Sequence, residues 1–180
     1  MNSLVKTLNE IKNDLSSSSE FSLVLFFKNY LYSPRFRILL NYRIGNYFSK
    51  SNFFLSRQIG NYYRIRLIVK RNCDFSYNAT IGKNLRLPHP MGIVIGDKVI
   101  IKDNVMIFQQ VTFGSHGKKG LIKNYPTIED GVKIYAGAKI IGGITIGKNA
   151  IIGANAVVNI DVPADCVAVG IPCKIIQKFG

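Results

Sequence analysis

Aliphatic residues recur at every sixth position in the second half of the chain: Ile128, Ile134, Ile140, Ile146, Ile152 and Val158. Four residues after each comes a second small or aliphatic one, at Val132, Ala138, Ile144, Ala150, Ala156 and Val162. A helix repeats its apolar face at about 3.6 residues and a single strand at about 2. A period of six fits neither. It predicts a coil of short parallel strands, three sides per turn, each side supplying one inward aliphatic residue. Glycines directly after rungs, as in Ile146-Gly147 and Ile152-Gly153, together with Asn149, suit corners where the backbone bends sharply or takes positive φ.

The ladder runs upstream in two earlier phases. Phe75, Ile81, Leu87 and Ile93 form one; Ile95, Ile101, Ile107 and Phe113 form the other, with Val99, Val105 and Val111 at the second position. Between them the register shifts by two residues, at Leu87-Pro88-His89-Pro90-Met91-Gly92. Between Phe113 and Ile128 lies a polar loop, residues 114–127, too long to be a corner. A solenoid breaks its repeat where something other than stacking is required, so both breaks are candidate functional places.

Before residue 72 the pattern is helical. Leu4, Leu8, Ile11 and Leu15 share one face over residues 4–15; Phe36, Leu40, Ile44 and Tyr47/Phe48 do so over 35–48; Leu55, Ile59 and Tyr62/Tyr63 do so over 55–68. Residues 16–19 read as a linker or capping run. The expected organisation is mainly β: a basic, aromatic-rich α-helical region at 1–72, then a parallel β-helix at 73–180 carrying the 114–127 loop. A chain of 180 residues is long enough for one buried core plus a smaller appended unit.

Charge sharpens the division. Residues 1–72 carry 12 Lys/Arg against 3 acids, and residues 73–180 carry 12 against 7, within a net charge of +14. No helix-turn-helix, RNA-binding or zinc motif accompanies this excess, which excludes nucleic acid as the expected partner. Anionic small molecules, phospholipid headgroups and acidic glycans remain. Basic aromatic helices either pack as core or lie on an anionic membrane surface. Cys73, Cys166 and Cys173 are odd in number and lack metal-ligand spacing, so they read as reduced thiols, with no metal expected. Residues 1–19 have no signal-peptide core, and the apolar run at 23–27 is too short to span a bilayer. The expectation is a cytoplasmic protein with, at most, peripheral contact at the inner face of the membrane.

Both histidines, His89 and His116, fall in the interruptions. Two prolines fix the backbone around His89. Asp74 lies fifteen residues earlier, about one coil back, where its carboxylate can accept the imidazole Nδ1–H and raise the basicity of Nε2. Such a base takes a proton from a hydroxyl. A turn-capping aspartate accounts for the same spacing.

These residues carry a resemblance. LPHPMGIVIG (87–96), MIFQQVTFG (106–114), IYAGAKIIGGITIGKNAIIGANAVV (134–158) and AVGIPCKII (168–176) resemble the serine acetyltransferase branch of the hexapeptide acyltransferases, over about residues 73–178. The resemblance implies a left-handed coil, a homotrimer with active sites between subunits, and acetyl-CoA as donor. It also implies His89 as general base with Asp74 behind it, and backbone N–H groups near Gly114 as an oxyanion site. Ala136, Gly137, Gly142 and Ala154 are small enough for a pantetheine arm to approach, although coil packing explains the glycines equally well. Ile171, Pro172 and Lys174 match the family's ending near the adenine and phosphates, and Lys139 and Lys148 can help neutralise phosphate charge.

Departures from the family set the expected acceptor. Asn124-Tyr125-Pro126 stands where serine acetyltransferases have an Arg-His-Pro segment, and Pro88 where they have aspartate. Losing that arginine removes a partner for a substrate carboxylate; His116 lies elsewhere in the loop. The short aromatic N-terminal region resembles acetyltransferases of surface polysaccharide gene sets. The leading expectation is therefore acetylation of a sugar hydroxyl on a capsule or O-antigen precursor, with Tyr125 and Gln109 contacting the glycan. Serine O-acetylation in cysteine synthesis is the alternative, and an inactive trimeric scaffold the third reading.

Overall fold

The computed structural model describes residues 3–15, 22–117 and 124–177; the expected linker at 16–19 and the middle of the 114–127 loop lie outside them. Among the described residues four helices come first: α1 (Ser3–Leu15), α2 (Leu23–Tyr32), α3 (Pro34–Ser49) and α4 (Phe54–Arg71). Three of them cover the three helical stripes. The fourth, α2, grows from the apolar run at 23–27. Ser22 caps it by accepting from the Leu25 N–H at 3.4 Å. Ser33 ends α2 and starts α3, accepting from the Phe36 N–H at 3.2 Å with Pro34 in the first turn. At Asn72 the chain turns left-handed, φ 54°, ending α4.

Fourteen short strands follow among the described residues: β1 (Asp74–Phe75), β2 (Thr80–Ile81), β3 (Val94–Ile95), β4 (Ile100–Ile101), β5 (Met106–Ile107), β6 (Thr112–Gly114), β7 (Thr127–Ile128), β8 (Lys133–Ile134), β9 (Lys139–Ile141), β10 (Thr145–Ile146), β11 (Ile151–Ile152), β12 (Val157–Val158), β13 (Cys166–Val169) and β14 (Lys174–Gln177). They stack into three sheets: β1-β3-β6-β9-β12, β2-β4-β7-β10 and β5-β8-β11-β13-β14. All pairings are parallel except β13 with β14. From β3 to β12 successive strands belong to successive sheets, and isolated bridges from Arg86 to Met106 and from Ile146 to Val162 supply the sides missing at either end, which makes a three-sided coil.

The register measures both interruptions. Val94 pairs with Thr112 and Thr127 with Thr145, each eighteen residues on. Asp74 pairs with Val94, twenty on, so two residues are inserted around His89. Thr112 pairs with Lys139, twenty-seven on, so the 114–127 loop adds nine. Every rung from Ile95 to Val158 is at most 1% exposed. Ile93 is buried too, but it precedes the rung Ile95 by two, as Val99 precedes Ile101; it belongs to the second position of the later phase rather than to a rung of the earlier one.

Arg43 on α3, 4% exposed, fastens the helices to the coil. Its Nη1 and Nη2 donate to the carbonyl oxygens of Ile81 (2.9 Å) and Gly82 (3.0 Å), and its Nε donates to Asp14 Oδ2 on α1 at 3.0 Å. Among the described residues no helix is long and apolar enough to cross a membrane.

Candidate active site

The coil has three edges, and the edge between the third and first sheets carries His89. Three contacts hold the insertion down: the Gly92 N–H donates to Asn72 O (2.7 Å), the Gln110 N–H to Met91 O (2.8 Å), and Cys73 Sγ to Pro90 O (3.6 Å). The imidazole is exposed and leans on Phe108, with centroids 6.1 Å apart at 50°; Phe108 in turn stacks on Tyr135 at 5.0 Å and 21°. Gln109, next to Phe108 in the same corner, has a buried Oε1 without a hydrogen-bond partner. An orphaned amide oxygen at that position is an acceptor awaiting a donor.

Phe108 and Tyr135 escaped the sequence reading. The signal was present: each directly follows a rung, Ile107 and Ile134, and those rungs are paired neighbours in the third sheet. The nine residues that the loop adds between them hide the repeat.

Asp74 opens β1, and because Phe75 points inward its own side chain faces out. The expected hydrogen bond from His89 is not formed. Asp74 Oδ1 instead accepts from Arg64 Nη2 at 3.3 Å, an ion pair with both side chains about two-fifths exposed (46% and 38%). The physical reason is that α4 returns along the start of the coil and brings Arg64 to the strand, which spacing within the coil cannot disclose.

The remaining expected residues divide among the edges. Ala136, Gly137 and Ala154 lie on the His89 edge, on successive turns above it, and the Gly170–Pro172 turn continues that edge, since the Val157 N–H reaches Gly170 O at 3.3 Å. At about 4.8 Å per stacked strand, His89 to Ala154 spans about 14 Å. Lys139 flanks this edge, its Nζ donating to Gln110 O (2.7 Å) and Thr112 Oγ1 (3.3 Å). Ile171 and Lys174 are exposed. Gly114, Tyr125 and Gly142 sit on the edge between the first and second sheets. There the Gly142 N–H donates to Gly114 O at 2.8 Å, and the His116 ring covers Gly142 where a Cβ would stand. Tyr125 lies against Gly96 on the same edge: a Cβ on Gly96 would come 3.1 Å from its ring. Lys148 is on the third edge, apart from both groups. Within one chain these residues therefore fall into two groups on different edges, with Lys148 on the third.

Comparison with known proteins fixes the family. Residues 125–159 match the family described as bacterial transferase hexapeptide (six repeats). Over 179 residues the chain is 32% identical to a serine acetyltransferase of Buchnera aphidicola subsp. Schizaphis graminum, covering 97% of this chain and 67% of that protein. Among solved structures, soybean serine acetyltransferase complexed with serine superposes with a TM-score of 0.79 at 31% identity, covering 94% of this chain and 69% of that one. A serine acetyltransferase in complex with CoA gives 0.76 at 31% identity, covering 97% and 69%. The chain spans about half the length of several other curated serine acetyltransferases that it matches.

These likenesses overturn the expectation of a polysaccharide acetyltransferase. The helical region taken as a departure from serine acetyltransferases lies within the matched span. The loop argument also weakens on geometry, because Tyr125 packs on Gly96 as part of an edge wall instead of standing free to stack on a sugar. With its hexapeptide repeats, coil and N-terminal helices in common, the chain belongs to the serine acetyltransferase family of left-handed β-helix acyltransferases.

Proposed function

We propose that this protein transfers the acetyl group of acetyl-CoA to the hydroxyl of L-serine. The supporting observation is likeness to serine acetyltransferases across both the helices and the coil, solved relatives among them bearing serine or CoA. His89 removes the serine hydroxyl proton as the oxygen attacks the thioester carbonyl. The carbon–sulfur bond then breaks, and the imidazolium returns that proton to the departing CoA sulfur. Pro88 and Pro90 hold the base in one geometry, and Phe108 walls one side of its ring. Asp74 steadies the imidazolium through its second oxygen, and Arg64 is a guanidinium for the serine carboxylate. Gln109 Oε1 accepts from the serine ammonium.

CoA lies along the His89 edge past Ala136, Gly137 and Ala154 to Ile171, Pro172 and Lys174, with Lys139 near its phosphates, while Lys148, on the third edge, takes no part. Gly142 closes the groove from the opposite side. Backbone near Gly114 supplies the oxyanion donors, and Tyr125 walls the acceptor. Because these residues occupy two edges, the complete site needs two copies, as in a homotrimer.

CoA release on mixing the protein with acetyl-CoA and L-serine tests this reading. His89→Ala should lower kcat by about 10² to 10⁴-fold with an unchanged circular dichroism spectrum. A variant that keeps most of its kcat removes His89 from the mechanism, and absence of serine-dependent CoA release from the unaltered protein removes the function.

A further inference from the structure

Three arginines in the helical region converge on one cavity without a counter-ion among the described residues. Arg37 of α3 and Arg66 and Arg71 of α4 line a pocket of about 110 Å³ together with Tyr30, Asn41 and Tyr63. Among the described residues none of the three donates a hydrogen bond or joins an ion pair, and the Nε atoms of Arg37 and Arg71 are buried without an acceptor. Their neighbours differ: Arg35, Arg43 and Arg64 all have acceptors. Residues 22–73 contain ten Lys or Arg and no Asp or Glu, so this stretch offers no acid to pair with the cluster. Burial, with the charges of Arg37 and Arg66, depresses the Arg71 guanidinium below its ordinary range.

Gathering like charges in a partly dry pocket raises the energy of the empty site, and an anion inside relieves it. Guanidinium forks match pairs of phosphate oxygens. Three forks exceed what the two oxygens of a carboxylate can satisfy, whereas a phosphate monoester offers three terminal oxygens and a charge approaching −2. The cavity has room for several waters, hence for a tetrahedral oxyanion. Phe27 and Leu31 on α2, and Ile65, Ile68 and Val69 on α4, are exposed in the two helices that supply Tyr30, Arg66 and Arg71, so an amphiphile can be held as well as a small ion.

We propose that the Arg37–Arg66–Arg71 pocket binds a phosphate monoester, as a soluble phosphate compound or as the headgroup of an anionic lipid. The site is independent of acyl transfer. It lies beside the candidate base all the same, because Arg71 precedes Asn72 and Cys73, which hold the His89 insertion.

Calorimetry of the full chain with inorganic phosphate at constant ionic strength, and flotation with phosphatidylcholine vesicles with and without phosphatidic acid, form the two arms. Binding in solution without vesicle capture identifies a soluble phosphate. Capture that needs phosphatidic acid and is competed by inorganic phosphate identifies the headgroup. In either arm Arg37→Gln and Arg71→Gln should weaken binding about tenfold or more. Arg71→Lys, which keeps the charge but not the fork, should also lose affinity, while Arg57→Gln, exposed on α4 outside the pocket, should not. The proposal fails if neither arm binds, or if Arg57→Gln weakens binding as much as the pocket variants. It fails equally if Arg71→Gln dissociates the oligomer without altering anion binding, which assigns the cluster to a contact between copies.

Discussion

Tyr42 shows how one side chain records the junction between helices and coil. It is 1% exposed, its hydroxyl donates to Ala79 O at 3.0 Å, and it accepts from Asn46 Nδ2 at 3.1 Å. Burial pushes the phenol from 10.0 up to about 12, against the opposing pull of Arg43. An unfolded chain ionises this group near 10, whereas the folded one holds it neutral to about 12. The stabilisation is therefore complete below pH about 10 and lost as pH rises toward 12, an effect of about 3 kcal/mol. Denaturant melts at pH about 9 and about 12 should show this loss, and Tyr42→Phe should lose markedly less between the same two pH values. Equal losses in both proteins would mean that Tyr42 ionises as freely folded as unfolded. The same scale governs the site, where Gln109 carries a buried unpaired oxygen and His89 leans on Phe108.

Among elements, the decisive contact is α3 against α1 and the first turn of the coil. Arg43 satisfies Asp14 and two coil carbonyls at once, with Asp14 only 1% exposed. Burial raises the Asp14 carboxyl, with Arg43 acting in the opposite direction. Replacing Arg43 by Met leaves a buried acid and two carbonyls without partners, an expected loss of about 3–5 kcal/mol in chemical denaturation. Arg43→Lys keeps the charge but cannot reach three acceptors in fixed geometry, so an intermediate loss is expected. A Met variant within about 0.5 kcal/mol of the parent would show that the helices are held by other contacts. The glycines separate into two kinds at this scale. Gly137 stands at a corner with φ +74°, while Gly147 is needed because the backbone of Ala164 passes where its Cβ would be.

At the level of the whole molecule, the proposed pairing of two edges from neighbouring copies makes a quantitative prediction. If each site combines the His89 edge of one copy with the Tyr125 edge of the next, His89→Ala and Tyr125→Ala proteins refolded together at equal amounts should regain about one quarter of the intact sites. Activity of the mixture no greater than the mean of the two parents would place the whole site within one chain. The six-residue ladder was legible from the sequence, including both breaks, because strand alternation and a three-sided turn impose their period on side chains locally. His89 was legible for the same reason, as it occupies a break. The place of Asp74 at the start of the coil was legible but its ion-pair partner was not, since Arg64 arrives on another element. The aromatic pair Phe108 and Tyr135, the orphaned Gln109 oxygen and the three converging arginines depend on which residues meet across 27 positions or between helices. By itself the sequence determined the coil, its inward rungs and the places where the repeat yields, because those follow from covalent periodicity and the burial of apolar side chains. The tertiary structure alone decided which charges meet, which polar groups are left without partners and which edge each residue occupies, because these depend on through-space contacts that no local spacing encodes.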